Sequence, residues 1–393
     1  MAITFPSSPT NGQTFTSGNK TWQWDGTTWL AYGASLSPTV LKVDAANARV
    51  GVNNQSPAYA LDVNGTIEGT QFLQGTDYLS PYQGFRNKVI NGNMSVWQRG
   101  TSVAVSTLGY TADRWFHQSY NGATISRQPT SDTSVLPNVQ YCARVQRNSG
   151  VTSTNFMYFT QSMETQESIK VSGKTITLSF YARKGANFSA TSNAFKAELF
   201  YGTGTDQNMI LGYTGQAQLF TSTFTLTSSW VRYSVTATIP VTSTEITPLF
   251  GYTPTGTAGA NDYFEITGVQ LEEGSVATPL EQRPIQQELA LCQRYYQRMV
   301  DPAGVGVSTG GAVIARVLIP LNQIMRAKPT STLSGTLSFW NGGSAAFPTS
   351  INTAFNSVSH GQFDFNGSLG VQGQALTLYQ TGGSQYIDFS AEL

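Results

Sequence analysis

The stretch "ITLSFYA", Ile176 to Ala182, sets Ile176, Leu178, Phe180 and Ala182 against Thr177, Ser179 and Tyr181. Side chains alternate across a strand, so a period of two gives one apolar face and one mixed face. The pattern returns in Phe195, Ala197, Leu199 and Tyr201, and after Trp230 in Val231, Tyr233, Val235, Ala237 and Ile239. Strands with one apolar face, joined by turns, predict a two-sheet antiparallel sandwich of the jelly-roll kind over residues 85–280. In "YFEITGVQLEEG" the apolar set is Phe264 and Ile266, then Val269 and Leu271. The phase slips at Gly268, which predicts a β-bulge there. Trp97, Trp115 and Trp230 each adjoin an apolar alternation and are read as core residues rather than ligand platforms.

Outside this block the chain is also mainly β. Residues 1–35 read as a small β module, with turn dipeptides Asn11-Gly12, Ser17-Gly18 and Asp25-Gly26 between strand-like pieces. Trp22, Trp24 and Trp29 there are expected to form a miniature core; a sugar-stacking platform is the other reading. Residues 36–84 carry two short alternating runs, Leu41/Val43 and Leu61/Val63, the second ending in Asn64-Gly65. That is too little for a core, so a shaft segment completed by copies from other chains is expected. Residues 301–393 return to short strands, with Val313, Ala315, Val317 and Ile319 alternating.

Between the sandwich and this last region, residues 281–300 ("EQRPIQQELALCQRYYQRMV") look helical. Pro284 suits a first helical position, where its missing N–H costs nothing. Ile285, Leu289, Cys292, Tyr296 and Met299 follow at heptad spacing, and Asp301-Pro302 ends the run. Two heptads are too short to hold a helix in water alone. Packing against the sandwich is one solution. The preferred reading is a self-associating seam in which those five residues from each of several identical chains meet.

Composition narrows the chemistry. Of 393 residues only 11% are charged, and Lys+Arg equals Asp+Glu at 22 each. A basic field for nucleic acid is missing, and no apolar run is long enough to insert in a membrane. The N-terminal residues lack a signal-peptide pattern, so assembly in a cytoplasm is expected. Catalysis finds little support. His117 and His360 are the two histidines, and His117 reads as an interior or edge residue. Glu272 and Glu273 are adjacent, so on a strand they face opposite sides. Glu164 and Glu167 would approach only on a helix, whereas their stretch reads as a strand running into a turn. Asn261, Asp262 and Glu265 offer oxygen ligands for calcium, but a plain surface turn is preferred. No catalytic, metal or cofactor site is therefore assigned, and the protein is expected not to be an enzyme.

"NKVINGNMSVWQRGTS" (Asn87 to Ser102), "YTADRWFHQ" (Tyr110 to Gln118) and Ile266 to Met299 resemble, in order, a pattern of tailed-bacteriophage fibre proteins. "RVGVNNQSPAYALDVNGTI" (Arg49 to Ile67) is similar to a shaft motif of trimeric fibres, and residues 9–29 to an N-terminal module of phage structural proteins. The resemblance covers most of the first 330 residues. It implies a carbohydrate-binding jelly roll, a trimer, a place in the virion, an N-terminal partner in the tail or baseplate, and a distal tip that binds a host glycan. The other readings are a polysaccharide-degrading tailspike and a structural baseplate part.

At the tip, "SFWNGGS" is expected to present Trp340 and Asn341 at a turn, and "SHGQFDFNGS" His360, Gln362, Asp364 and Asn366 around another. These six are the candidate glycan contacts; a core role for Trp340 is the competing reading. Deleting residues 303–393 is expected to abolish adsorption and to leave a folded trimer.

Overall fold

The computed structural model describes residues 3–18, 20–32, 41–44, 47–53, 56, 58, 60–63, 72–74, 77–79, 85–119, 122–308, 315–335, 337–340, 345–346, 350–352, 357–366, 372–379 and 385–393. The chain divides into two compact units, Met1–Pro81 and Tyr82–Leu393.

In the first unit the strands Thr14–Ser17, Lys20–Trp24 and Trp29–Tyr32 form an antiparallel sheet. Phe15 pairs with Trp22, and Trp24 with Trp29, so their rings share one face. Phe5 stacks on Trp29 at 5.3 Å and meets the Trp22 edge at the same distance. The tryptophans thus pack on one another and on Phe5 and Phe15 as a half-buried aromatic cluster. Leu41–Asp44, Arg49–Val52 and Leu61–Val63 pair with each other inside one chain, the last two in parallel. Asn64-Gly65 lies outside the described residues.

The second unit contains the sandwich, made of two six-stranded antiparallel sheets. One runs Leu108–Tyr110, Phe116–Gln118, Met157–Thr160, Glu245–Tyr252, Ala194–Gly202, Ala217–Thr225. The other runs Val231–Thr238, Thr175–Lys184, Tyr263–Glu273, Tyr141–Arg147, Ala123–Pro129, Ser102–Val105. Ile176, Leu178, Phe180 and Ala182 face inward and meet Phe195, Phe250 and Phe264 in the core. Trp97, Trp115 and Trp230 are buried, and Trp115 stacks on Phe159 at 4.7 Å. The bulge is where the phase slip put it. Ser179 faces Gln270 and Tyr181 faces Thr267, and Gly268 takes φ +57°.

The helix differs from its expected extent. It covers Ile285–Gln293 only, and Tyr296–Val300 is a strand paired with Tyr386–Ser390. The β-ladder with a partner some ninety residues away, reinforced by the Arg298–Asp388 ion pair at 2.7 Å, overrides a local helical spacing that offered little. The five-residue seam therefore does not exist as one helical stripe. Ile285 is 55% exposed, whereas Glu288 and Cys292 are buried on the face that meets the sandwich. Glu288 accepts from the Asn91 amide and pairs with Arg283 at 3.4 Å. The helix is packed within its own chain.

Residues on both sides of the helix belong to the same compact unit, Tyr82–Leu393. Tyr296–Val300, Tyr386–Ser390 and Thr330–Ser334 make a three-stranded sheet. It packs through Ile387 and Phe389 on a seven-stranded sheet that contributes Val317, Ile319, Phe339, Leu376 and Leu378. The chain end then returns to the sandwich. Glu392 pairs with Arg114 and, at 3.0 Å, with Arg99. Arg326 donates to the carbonyls of Ala391 and Glu392, and Tyr110 to that of Leu393.

Candidate functional site

The seven-stranded sheet is the place where the candidate residues meet. Its strand order is 345–346, 338–340, 375–379, 304–308, 315–320, 360–366, 350–352. Trp340 closes the strand Ser338–Trp340 instead of sitting in a turn. His360, Gln362, Asp364 and Asn366 lie along one strand, His360–Asn366, instead of around a turn. Asn341 falls outside the described residues.

Register brings the two segments onto one face. Trp340 pairs with Thr377, Thr377 with Val305, Val305 with Leu318, and Leu318 with Gln362. Directly opposed residues point to the same side of a sheet. The next row places Ala375, Val307, Arg316 and Asp364 side by side. His360 and Gln362 are spaced by two and so share that side, and Asp364 and Asn366 follow in the same strand. The Trp340 strand and the 360–366 strand are four inter-strand steps apart, about 19 Å at ~4.8 Å each. They form one surface but not one pocket.

This surface is open and largely uncharged. Val305 is 73% exposed, Leu318 50%, Val307 47% and Trp340 45%. Trp340 is thus not the plug of the tip's core; Phe339 beside it is fully buried. The sequence enforces this orientation. In "GVGVS", Gly304 to Ser308, the glycines face the core, and a Cβ on Gly306 would collide with the Arg316 carbonyl. The valines are left to face outward. The reading from sequence missed Val305, Val307, Leu318 and Thr377. A signal was present in the alternate glycines, since glycine within a strand often marks a place where another backbone approaches closely.

At the far end, the His360 ring nitrogen Nδ1 lies 2.8 Å from the Ser357 hydroxyl and 3.2 Å from that of Ser359. His360 is tied into its own loop.

The carboxylates considered for catalysis or metal binding are held by arginine, lysine and threonine. Glu164 caps, and Glu167 lies within, a short helix, Thr165–Ser168, where a turn was expected. Glu164 is buried against Arg294, at 3.1 Å, and Glu167 pairs with Lys170 at 2.7 Å. Glu272 is buried and accepts from Thr278, whereas Glu273 faces solvent and pairs with Lys174. Asp262 takes Arg147 at 3.1 Å and the Tyr252 hydroxyl at 3.0 Å. Glu265 takes both Arg144 and Arg183. Among the described residues no group of three acidic, His or Cys side chains is placed to hold a metal ion.

No protein-family model matches the chain, and no curated protein matches it. Solved structures do. TmCBM61 in complex with β-1,4-galactotriose is similar over 48% of this chain and 99% of that one, at 13% identity and TM-score 0.29. The xylan-binding domain from CBM 22 covers 44% and 95%, at 15% identity and TM-score 0.28. The enzymatically active domain of bacteriophage CBA120 tailspike protein 4 covers 48% of this chain, at 12% identity and TM-score 0.29, and the match spans 22% of that domain.

Proposed function

We propose that the protein is a non-enzymatic adhesin of a tailed phage, a homotrimeric tail fibre whose N-terminal module attaches to the tail or baseplate. It binds a host surface glycan on the outward face of the seven-stranded sheet. The observation that carries the reading is the row Trp340–Thr377–Val305–Leu318–Gln362. An extended saccharide presents alternating C–H and hydroxyl surfaces. An indole at one end, aliphatic carbons in the middle and an amide at the other suit such a ligand laid across the strands. Fixed charge is not needed for that contact, and this face carries little. The motif resemblance of Asn87–Ser102 and Ile266–Met299 supplies the phage context and the trimer.

The test is adsorption of the purified protein to susceptible cells. Trp340→Ala and Leu318→Asp are each expected to reduce cell binding by at least about tenfold at an unchanged melting temperature. If Leu318→Asp instead dissociates an oligomer, the face is a subunit interface and the glycan contact must lie elsewhere. Release of soluble oligosaccharide from host polysaccharide would replace the adhesin with a depolymerase.

A further inference from the structure

The three-stranded sheet of Tyr296–Val300, Tyr386–Ser390 and Thr330–Ser334 buries one face against the tip core. Its other face is ordered by register. Tyr296, Ser390 and Thr330 form one row, and Arg298, Asp388 and Thr332 the next. Each of these side chains carries a polar group. A cleft of about 320 Å³ lies over them, bordered on the sandwich side by Arg99 and Tyr110. Arg99 lies over the Tyr296 ring at 3.5 Å from its centroid, and Arg298 over Tyr386 at 3.7 Å.

The charges in this cleft are matched. Arg298 makes a two-pronged contact with Asp388, 2.7 Å on each prong, and Arg99 is paired with Glu392 at 3.0 Å. An ionic ligand would find no unbalanced charge. What remains is a close mixture of donors and acceptors: guanidinium N–H groups, carboxylate oxygens, and hydroxyls that do both. The Thr330 hydroxyl donates to the Ser390 carbonyl at 3.3 Å and keeps its acceptor capacity. A neutral sugar ring is the complementary ligand class. Its vicinal hydroxyls each donate and accept, and its C–H face can lie on a tyrosine or guanidinium plane. The volume sits at the lower end of the ~300–1,000 Å³ of small-molecule sites, which suits one or two rings and excludes a long chain.

We infer that this cleft is a recessed subsite for a neutral mono- or disaccharide unit. Asp388 accepts from the sugar, Arg298 donates to it, and Thr332 and Ser390 complete the contact. The inference rests on the adhesin reading for the source of the sugar, but it concerns a different surface from the Trp340 face.

The experiment is saturation-transfer NMR on the full chain with glucose, galactose, mannose, N-acetylglucosamine and lactose. At least one is expected to bind with Kd on the order of 1 mM. Thr332→Val with Ser390→Ala is expected to weaken that binding at least about tenfold without moving the melting temperature, since Thr332 is exposed. Asp388→Asn is expected to abolish it. The inference is overturned if the intact protein binds none of the five sugars, or if the Thr332/Ser390 double variant binds as well as the parent. Cell adsorption separates the two readings. Adsorption that depends on Trp340 with no sugar bound sinks the subsite alone, whereas sugar binding by a protein that never adsorbs sinks the adhesin alone.

Discussion

His117 and Asp113, four residues apart, respond to pH in opposite senses. Burial pushes the His117 imidazole down to about 3, against 6.5 for a free histidine. In acid the unfolded chain takes up a proton that the folded chain refuses, so stability falls as pH drops below about 6.5, by about 1.4 kcal/mol per unit. Burial raises the Asp113 carboxyl to about 6, only partly offset by Arg99. Its folded state binds the proton first, so between about pH 6 and pH 4 this group gains stability as pH falls. The two trends largely cancel in that window. Asp113→Asn should expose the histidine: between pH 7 and pH 4 the variant is expected to lose roughly 2 kcal/mol more than the parent, read from urea melts at each pH. Parallel pH profiles would refute the assignment. At the same scale, Trp115→Ala removes a fully buried ring stacked on Phe159 and is expected to cost about 3–5 kcal/mol. Gly268→Ala places a Cβ at φ +57°, 2.9 Å from the Tyr181 ring. A loss of about 1–3 kcal/mol in thermal melts is expected; an unchanged melting temperature would mean that the bulge relaxes.

At the scale of elements, what could be read from the sequence tracks how local the deciding interactions are. Ile176–Ala182 announces its strand because each buried side chain repeats at a spacing of two, and the bulge at Gly268 appears as a break in that spacing. The switch from helix to strand after Gln293 leaves no such trace. Its cause is a partner strand at 386–390 and an aspartate at 388, neither recognisable from residues 281–300. The rows on the tip were hidden for the same reason, since Trp340, Val305 and Gln362 are aligned only through four successive pairings. Asn87–Ser102, Tyr110–Gln118 and Ile266–Met299 prove to be one hub: Gln98 donates to the Tyr296 carbonyl, Asn87 to that of Val269, and Asn91 to that of Asp113. This changes the expected outcome of truncation. Removing residues 303–393 deletes the partner strand of Tyr296–Val300 and strips Glu392 from buried Arg114. Unpairing a buried charge costs about 3–5 kcal/mol. The truncated chain is therefore expected to aggregate or melt well below the parent, instead of persisting as a folded trimer. A soluble truncate with the parent's melting temperature would show that the sandwich stands without the chain end.

For the whole molecule, the governing quantity is a charge balance that cancels. Lys+Arg and Asp+Glu are 22 each, and many of these groups are consumed in internal pairs such as Arg147–Asp262, Arg114–Glu392 and Glu265 with its two arginines. A protein that captured its receptor by electrostatic steering would need a one-signed surface, and its association rate would fall steeply with added salt. The outward tip face instead offers Trp340, Val305, Val307 and Leu318, and places Arg316 and Asp364 next to each other by register. Contacts of that kind depend on desolvation and hydrogen bonding, which salt screens little. The rate of adsorption to cells is therefore expected to change by less than about twofold as the Debye length shrinks from ~30 Å to ~8 Å. The measurement is depletion of labelled protein from suspension over time at low and physiological ionic strength. A drop of tenfold or more would mean that charge guides the encounter, and the neutral sheet face would then not be the surface that meets the cell.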